Sequence, residues 1–165
     1  RMFARTIGFM GDLPLFSRDV REFIALLKKH EVKFVIVGGT AVIFHGYARY
    51  TGDIDFFYDA SLENAAKLLK AVQEFWHGDV PGGLILDELM VDGQIVQYGV
   101  PPHRIDLINR IDGVSFAEAW NDRQEESLTI EGVSHILAIM GKKSLRQNKA
   151  ASGRDKDRDD LNNLE

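Results

Sequence analysis

The chain has 165 residues, 45% of them apolar and 27% charged, with 25 acids against 20 bases for a net charge of −5. Those figures exclude a disordered chain and a general polyanion binder, and they predict one domain large enough to bury its own core. There is no cysteine, which excludes disulfides, thiolate zinc sites and thiol catalysis, and no apolar run approaches the roughly 18 residues of a bilayer span.

Arg1, ahead of Met2, reads as an expression leftover and is set aside; residues 3–16 lack the uninterrupted apolar stretch of a signal peptide, so the chain reads as cytoplasmic and free of membrane. The first element runs from about Asp19 to His30, where Val20, Phe23, Ile24 and Leu27 share one helical face and Ser17 is placed to cap it. Lys33 to Val37 is short, apolar and β-branched, a buried strand ending in Gly38-Gly39. A short helix follows from Thr40 to Tyr47, then a second strand from Asp53 to Tyr58.

Ser61 caps a longer helix reaching about Trp76, with Leu62, Ala65, Leu69 and Val72 on one stripe. Glycine and proline mark His77 to Gly83 as loop. Two strands are predicted near Gln94 to Tyr98 and Arg104 to Ile108, across the turn Gly99-Val100-Pro101-Pro102. A brief helix from Phe116 to Asn121 is capped by Ser115. Glu131-Gly132 reads as a hairpin turn between Leu128–Ile130 and Val133–Ala138, the second of which also suits a helix. A basic helix from about Lys142 to Ala151 and a terminal one from about Asp155 close the chain. The fold expected is α/β (α+β), a mixed sheet with helices packed against it in a single domain over residues 1–165.

Three features carry chemistry. Gly38-Gly39-Thr40 sits between a buried strand and a helix start, where bare N–H groups favour a phosphate, although such a turn also serves structure alone. Asp53 and Asp55, two apart on a strand, present both carboxylates to one face. Asp106 lies between apolar residues in a later strand, and if the strands adjoin, three carboxylates converge. Acids about 4 Å apart repel by roughly 4 kcal/mol at an effective dielectric near 20, so such a cluster protonates or takes cations. Hard oxygen ligands suit Mg²⁺. His30, His45, His77, His103 and His135 show no ligand spacing. Lys142, Lys143, Arg146 and Lys149 form a run without acids that reads either as a solvated face or as a phosphate-facing one.

The stretch Phe34 to Phe57, FVIVGGTAVIFHGYARYTGDIDFF, resembles the signature of the nucleotidyltransferases of the DNA polymerase-β superfamily: an apolar strand, Gly-Gly-Ser/Thr, a short helix, then Asp-x-Asp, with a third acid on a later strand. Arg49, Thr51 and Asp53-Ile54-Asp55 resemble the R-x-T-x-D-x-D form of the small bacterial branch that includes AbiEii-type toxins. Asn148-Lys149, Gly153-Arg154, Lys156-Asp157 and Asp160-Leu161 resemble that branch's ending, except that Asp155 stands where relatives commonly have proline before Lys-Asp.

The resemblance implies a polymerase-β-like catalytic core over about residues 15–115 and a helical C-terminal extension over about 116–165. It implies that Asp53, Asp55 and Asp106 hold the metal, Mg²⁺ in two ions, and carry the chemistry, with Asp106 helping to deprotonate an acceptor hydroxyl. Gly38, Gly39 and Thr40 would grip the triphosphate of an NTP substrate. Lys149 and Lys156 would face nucleotide or acceptor, and Arg49 would contact phosphate or pair with a nearby acid. The activity implied is transfer of an NMP from an NTP to a hydroxyl of tRNA or other RNA, of a protein or of a small molecule. A role as toxin beside an antitoxin protein follows from the branch. The alternative is a non-catalytic nucleotide-binding or protein-interaction module on the same fold. Residues 76–91 match no motif and are where acceptor selectivity is expected.

Overall fold

The structure is a computed structural model describing residues 16–164. The reading of residues 3–15 lies outside the described residues. Helix α1 (Arg18–Lys29) starts as expected, with Ser17 Oγ accepting from the Val20 N–H at 3.2 Å, and Val20, Phe23, Ile24 and Leu27 are fully buried. Strand β1 (Phe34–Val37) is buried along its length, and helix α2 (Gly38–Phe44) begins directly on the two glycines, two residues earlier than the pattern suggested.

Strand β2 (Asp53–Tyr58) and helix α3 (Leu62–Phe75) fall at the expected places, and Ser61 caps α3 through the Asn64 N–H. The buried stripe of α3 begins a turn later than expected, at Ala65, because Leu62 in the first turn is 60% exposed. Past α3 come a single 3-10 turn (Pro81–Gly83) and a one-turn helix α4 (Leu86–Leu89) that lacks enough length for a periodic signal. Two side chains pin this segment to the sheet. Tyr58, 1% exposed, donates its hydroxyl to Leu89 O at 2.8 Å, and Asn109 Nδ2 donates to Val91 O at 2.9 Å while its Oδ1 accepts from the Gly93 N–H at 2.8 Å.

Strands β3 (Ile95–Tyr98) and β4 (Arg104–Ile108), helix α5 (Phe116–Asn121), strands β5 (Gln124–Ile130) and β6 (Val133–Ile139), and helices α6 (Lys142–Ser152) and α7 (Asp155–Asn163) complete seven α-helices among the described residues. Val133 to Ala138, whose pattern suits either strand or helix, is strand, since it pairs antiparallel with β5. All six strands form one mixed sheet of order β3-β4-β2-β1-β6-β5. Residues beyond 116 thus contribute two strands to the same sheet as well as helices. Among the described residues, no helix is long and apolar enough to cross a membrane.

One face of the sheet is closed by α1 and α3: Phe23 of α1 meets Phe56 of β2 at 5.5 Å and Phe75 of α3 at 5.2 Å, both edge-on. The other face of β2 carries Asp53, Asp55 and Phe57, and Phe57 packs on Phe116 of α5 at 5.2 Å. That leaves the start of β2 uncovered by α5, and the acids lie there.

Candidate active site

The register of the sheet assembles the acids. Strands β2 and β4 run parallel with Asp55 opposite Asp106 and Asp53 opposite Arg104. Side chains directly opposite share a face, so carboxylates separated by about fifty residues of chain become neighbours. One ligand atom from each of Asp53, Asp55 and Asp106 lies within 4.8 Å of the others. They line a cleft of about 470 Å³ together with Gly38, Gly39, Arg154 and Lys156.

The glycines are required by the same geometry. Gly38 has φ +69°, and a Cβ added there would overlap Asp55 Oδ2, so backbone and carboxylate occupy space no other residue would leave. A Cβ on Gly39 would come within 2.6 Å of Thr51 Oγ1 and 3.2 Å of the Arg49 guanidinium. No side chain caps the N-terminus of α2. Thr40, by contrast, is buried at 2% exposure.

Charge is distributed unevenly over the three acids. Arg104, two residues before Asp106 and so on the same face of β4, donates Nε to Asp106 Oδ1 at 2.8 Å. Its Nη2 reaches Asp106 Oδ2 at 2.9 Å and Asp53 Oδ2 at 2.7 Å. Gln97 Nε2 adds a 3.3 Å bond to Asp106 Oδ2. Asp55 lies outside this fork. Burial first, then the charges of Asp53 and Asp106, push its carboxyl up to about 7, against a smaller opposing effect of Lys156. Three hard oxygen donors, one of them without a cationic hydrogen-bond partner among the described residues, are what a divalent cation such as Mg²⁺ binds, so the residues fit that group.

The C-terminal positions form a second cluster. Lys149, 3% exposed, places Nζ 3.0 Å from both Asp157 and Asp160, which are fully buried. Arg49 donates Nε and Nη2 to the two oxygens of Asp160 at 2.7 and 2.9 Å. Arg154 and Ser152 donate to Asp157. Burial opposes ionisation of Asp157, but the hydrogen bonds from Arg154, Ser152 and Lys149 outweigh it and hold the carboxyl well below its usual range. Of the two roles open to Arg49, the acid pair is therefore the one this geometry occupies. In the basic run, Lys143 and Arg146 are exposed and Lys149 is buried, so the run is not one face. Lys156 lines the cleft and makes no ion pair within 4 Å among the described residues.

Residues 17–165 match the family model described as nucleotidyltransferase of unknown function (DUF6036). The chain belongs to that family, a class that implies a nucleoside triphosphate substrate and usually a divalent metal. No curated protein and no solved structure matches the chain.

Sequence reasoning misses Arg104, and it misses Asp160 as the acid that Arg49 pairs with. The spacing of Arg104 and Asp106 on a strand was a sufficient signal for the first; nothing local signals the second.

Proposed function

We propose that the protein is a Mg²⁺-dependent nucleotidyltransferase that moves an NMP from an NTP to an acceptor hydroxyl and releases pyrophosphate. The observation that carries the reading is the parallel register setting Asp55 opposite Asp106, beside Asp53 and against the bare glycine backbone of Gly38. Asp53, Asp55 and Asp106 would hold the metal, which when bound would supply charge neutralisation at the triphosphate and a Lewis acid for its phosphoryl oxygens.

The chain's own groups do the rest. The backbone N–H groups of Gly38 and Gly39 and the Lys156 ammonium take the β- and γ-phosphates at one end of the cleft. The acceptor oxygen then bonds to the α-phosphorus from the opposite side, over β4 and β3. The bond from that phosphorus to the pyrophosphate oxygen breaks, and the hydroxyl proton passes to Asp106. The Arg49–Asp160–Lys149–Asp157 network fixes α6 and α7 against the catalytic strands, and so holds Lys156 over the acids.

The branch resembled in sequence suggests a toxin paired with an antitoxin protein, acting on tRNA or other RNA, a protein or a small molecule. Between Lys70 and Arg104 the chain has no lysine or arginine, while Glu74, Asp79, Asp87, Glu88 and Asp92 fall there. Cations for a polyanionic acceptor would come instead from α6, where Lys143 and Arg146 are exposed. The test is transfer of label from α-labelled NTPs with Mg²⁺ to separate pools of RNA, protein and small hydroxyl compounds. Label should enter one pool with the wild type and none with Asp55→Ala; equal labelling by a folded Asp55→Ala variant overturns the assignment.

A further inference from the structure

The Arg104 guanidinium engages three of the six carboxylate oxygens of the acid cluster, both of Asp106 and one of Asp53. It is not a mobile surface group that happens to reach them. Its Cα lies opposite that of Asp53 in the β2–β4 register and its side chain is 28% exposed, against 26% for Asp53 and 7% for Asp106. The fork offsets one of three negative charges and leaves Asp55 outside it.

We infer that Arg104 is a resident counter-ion of the acid cluster, which divalent metal must displace from Asp53 and Asp106 in order to bind. The inference rests on reading the three acids as a metal site. A cation held by one oxygen from each acid draws on the same carboxylates that Arg104 occupies, and two cations on one set of oxygens repel. In the metal-free protein Arg104 holds Asp53 and Asp106 in place; on loading, it turns away from them. Metal affinity is thereby set below what three free carboxylates would give, so that the nucleotide-borne metal is favoured over the free ion.

Mn²⁺ titrated calorimetrically into the full chain without nucleotide tests this. Displacement gives up the hydrogen bonds from Arg104 to Asp53 and Asp106, and losing even one hydrogen bond to a charged group costs about tenfold in affinity or more. Arg104→Gln should therefore bind Mn²⁺ at least about tenfold more tightly than the wild type, with Arg104→Lys between them. Affinity equal to the wild type or weaker in both variants overturns the inference and makes Arg104 a residue that shapes the acids for metal. If Arg104→Gln does not fold, the wild type still decides. The Arg104 Nε–H signal in its NMR spectrum should move and lose exchange protection as Mg²⁺ saturates, and an unmoved, protected signal at saturation overturns the displacement. No Mn²⁺ uptake by any of the three folded proteins would instead remove the metal site itself, and this inference with it.

Discussion

Arg49 and Asp160, 111 residues apart in the chain, share two parallel hydrogen bonds of 2.7 and 2.9 Å. Arg49 also donates Nη1 to Tyr50 O at 2.9 Å, and its guanidinium stands where a Cβ on Gly39 would crowd it. One ion pair thus ties the terminal helix to both the glycine turn and the loop that leads into Asp53 and Asp55. Since Asp160 is fully buried and shared with Lys149, the pair belongs to a network in which every member depends on the others.

Removing Lys149 tests that dependence. Leaving buried carboxylates short of a partner costs about 3–5 kcal/mol, so Lys149→Met should lower unfolding free energy by that order in urea titrations. A lysine that served the nucleotide alone would give the opposite pattern: unchanged stability with weakened NTP binding.

Gly38→Ala meets two obstacles, a positive φ and the Asp55 carboxylate. It should cost at least about 1 kcal/mol of stability and displace Asp55, reducing transfer well beyond what that loss explains. Near-normal activity in a folded Gly38→Ala protein would show that the close approach is dispensable.

Lys156→Ala should leave the melting temperature within a degree or so, because the side chain holds no ion pair among the described residues, yet weaken NTP binding about tenfold or more. Binding measured by fluorescence or calorimetry separates the two effects. Unchanged affinity would remove Lys156 from the nucleotide site.

Asp55 links stability to pH. Its carboxyl stands at about 7 when folded against an ordinary 3.8, so between those values the folded protein holds a proton that the unfolded chain has lost. This contribution favours the fold at the acid end and is lost as pH rises through about 7. In EDTA, the wild type should therefore lose more stability than Asp55→Asn between pH 5 and about 7.5, and Mg²⁺ should narrow the difference. Parallel pH profiles for the two proteins would place the perturbed acid elsewhere.

What the sequence made legible was local or periodic. The caps at Ser17, Ser61 and Ser115 and the bounds of β2 and β4 follow from capping chemistry and two-residue alternation, which few neighbours can override. The convergence of Asp106 on Asp53 and Asp55 was conditional on two strands adjoining, and the β2–β4 register supplies the condition. Arg104 is legible from its two-residue spacing to Asp106 on one strand. The network around Asp160 was not readable, because the terminal motif and the Arg49 motif each look complete alone and meet only once α7 docks. Residues 84–93 are held by Tyr58 and Asn109 through backbone carbonyls and an N–H, contacts that leave no trace in hydropathy.

The most direct test of nucleotidyl transfer at the three acids is thermal unfolding with each of the four NTPs, with and without Mg²⁺, in the wild type and in Asp53→Asn/Asp55→Asn. A ligand at 100 times its dissociation constant adds about 2.7 kcal/mol, or roughly 5–10 °C for a chain of this size. At least one NTP should raise the wild-type melting temperature by that order only when Mg²⁺ is present, and the double variant should not respond. No shift with any NTP, or an equal shift in the double variant, would contradict a metal-dependent nucleotide site built on these residues.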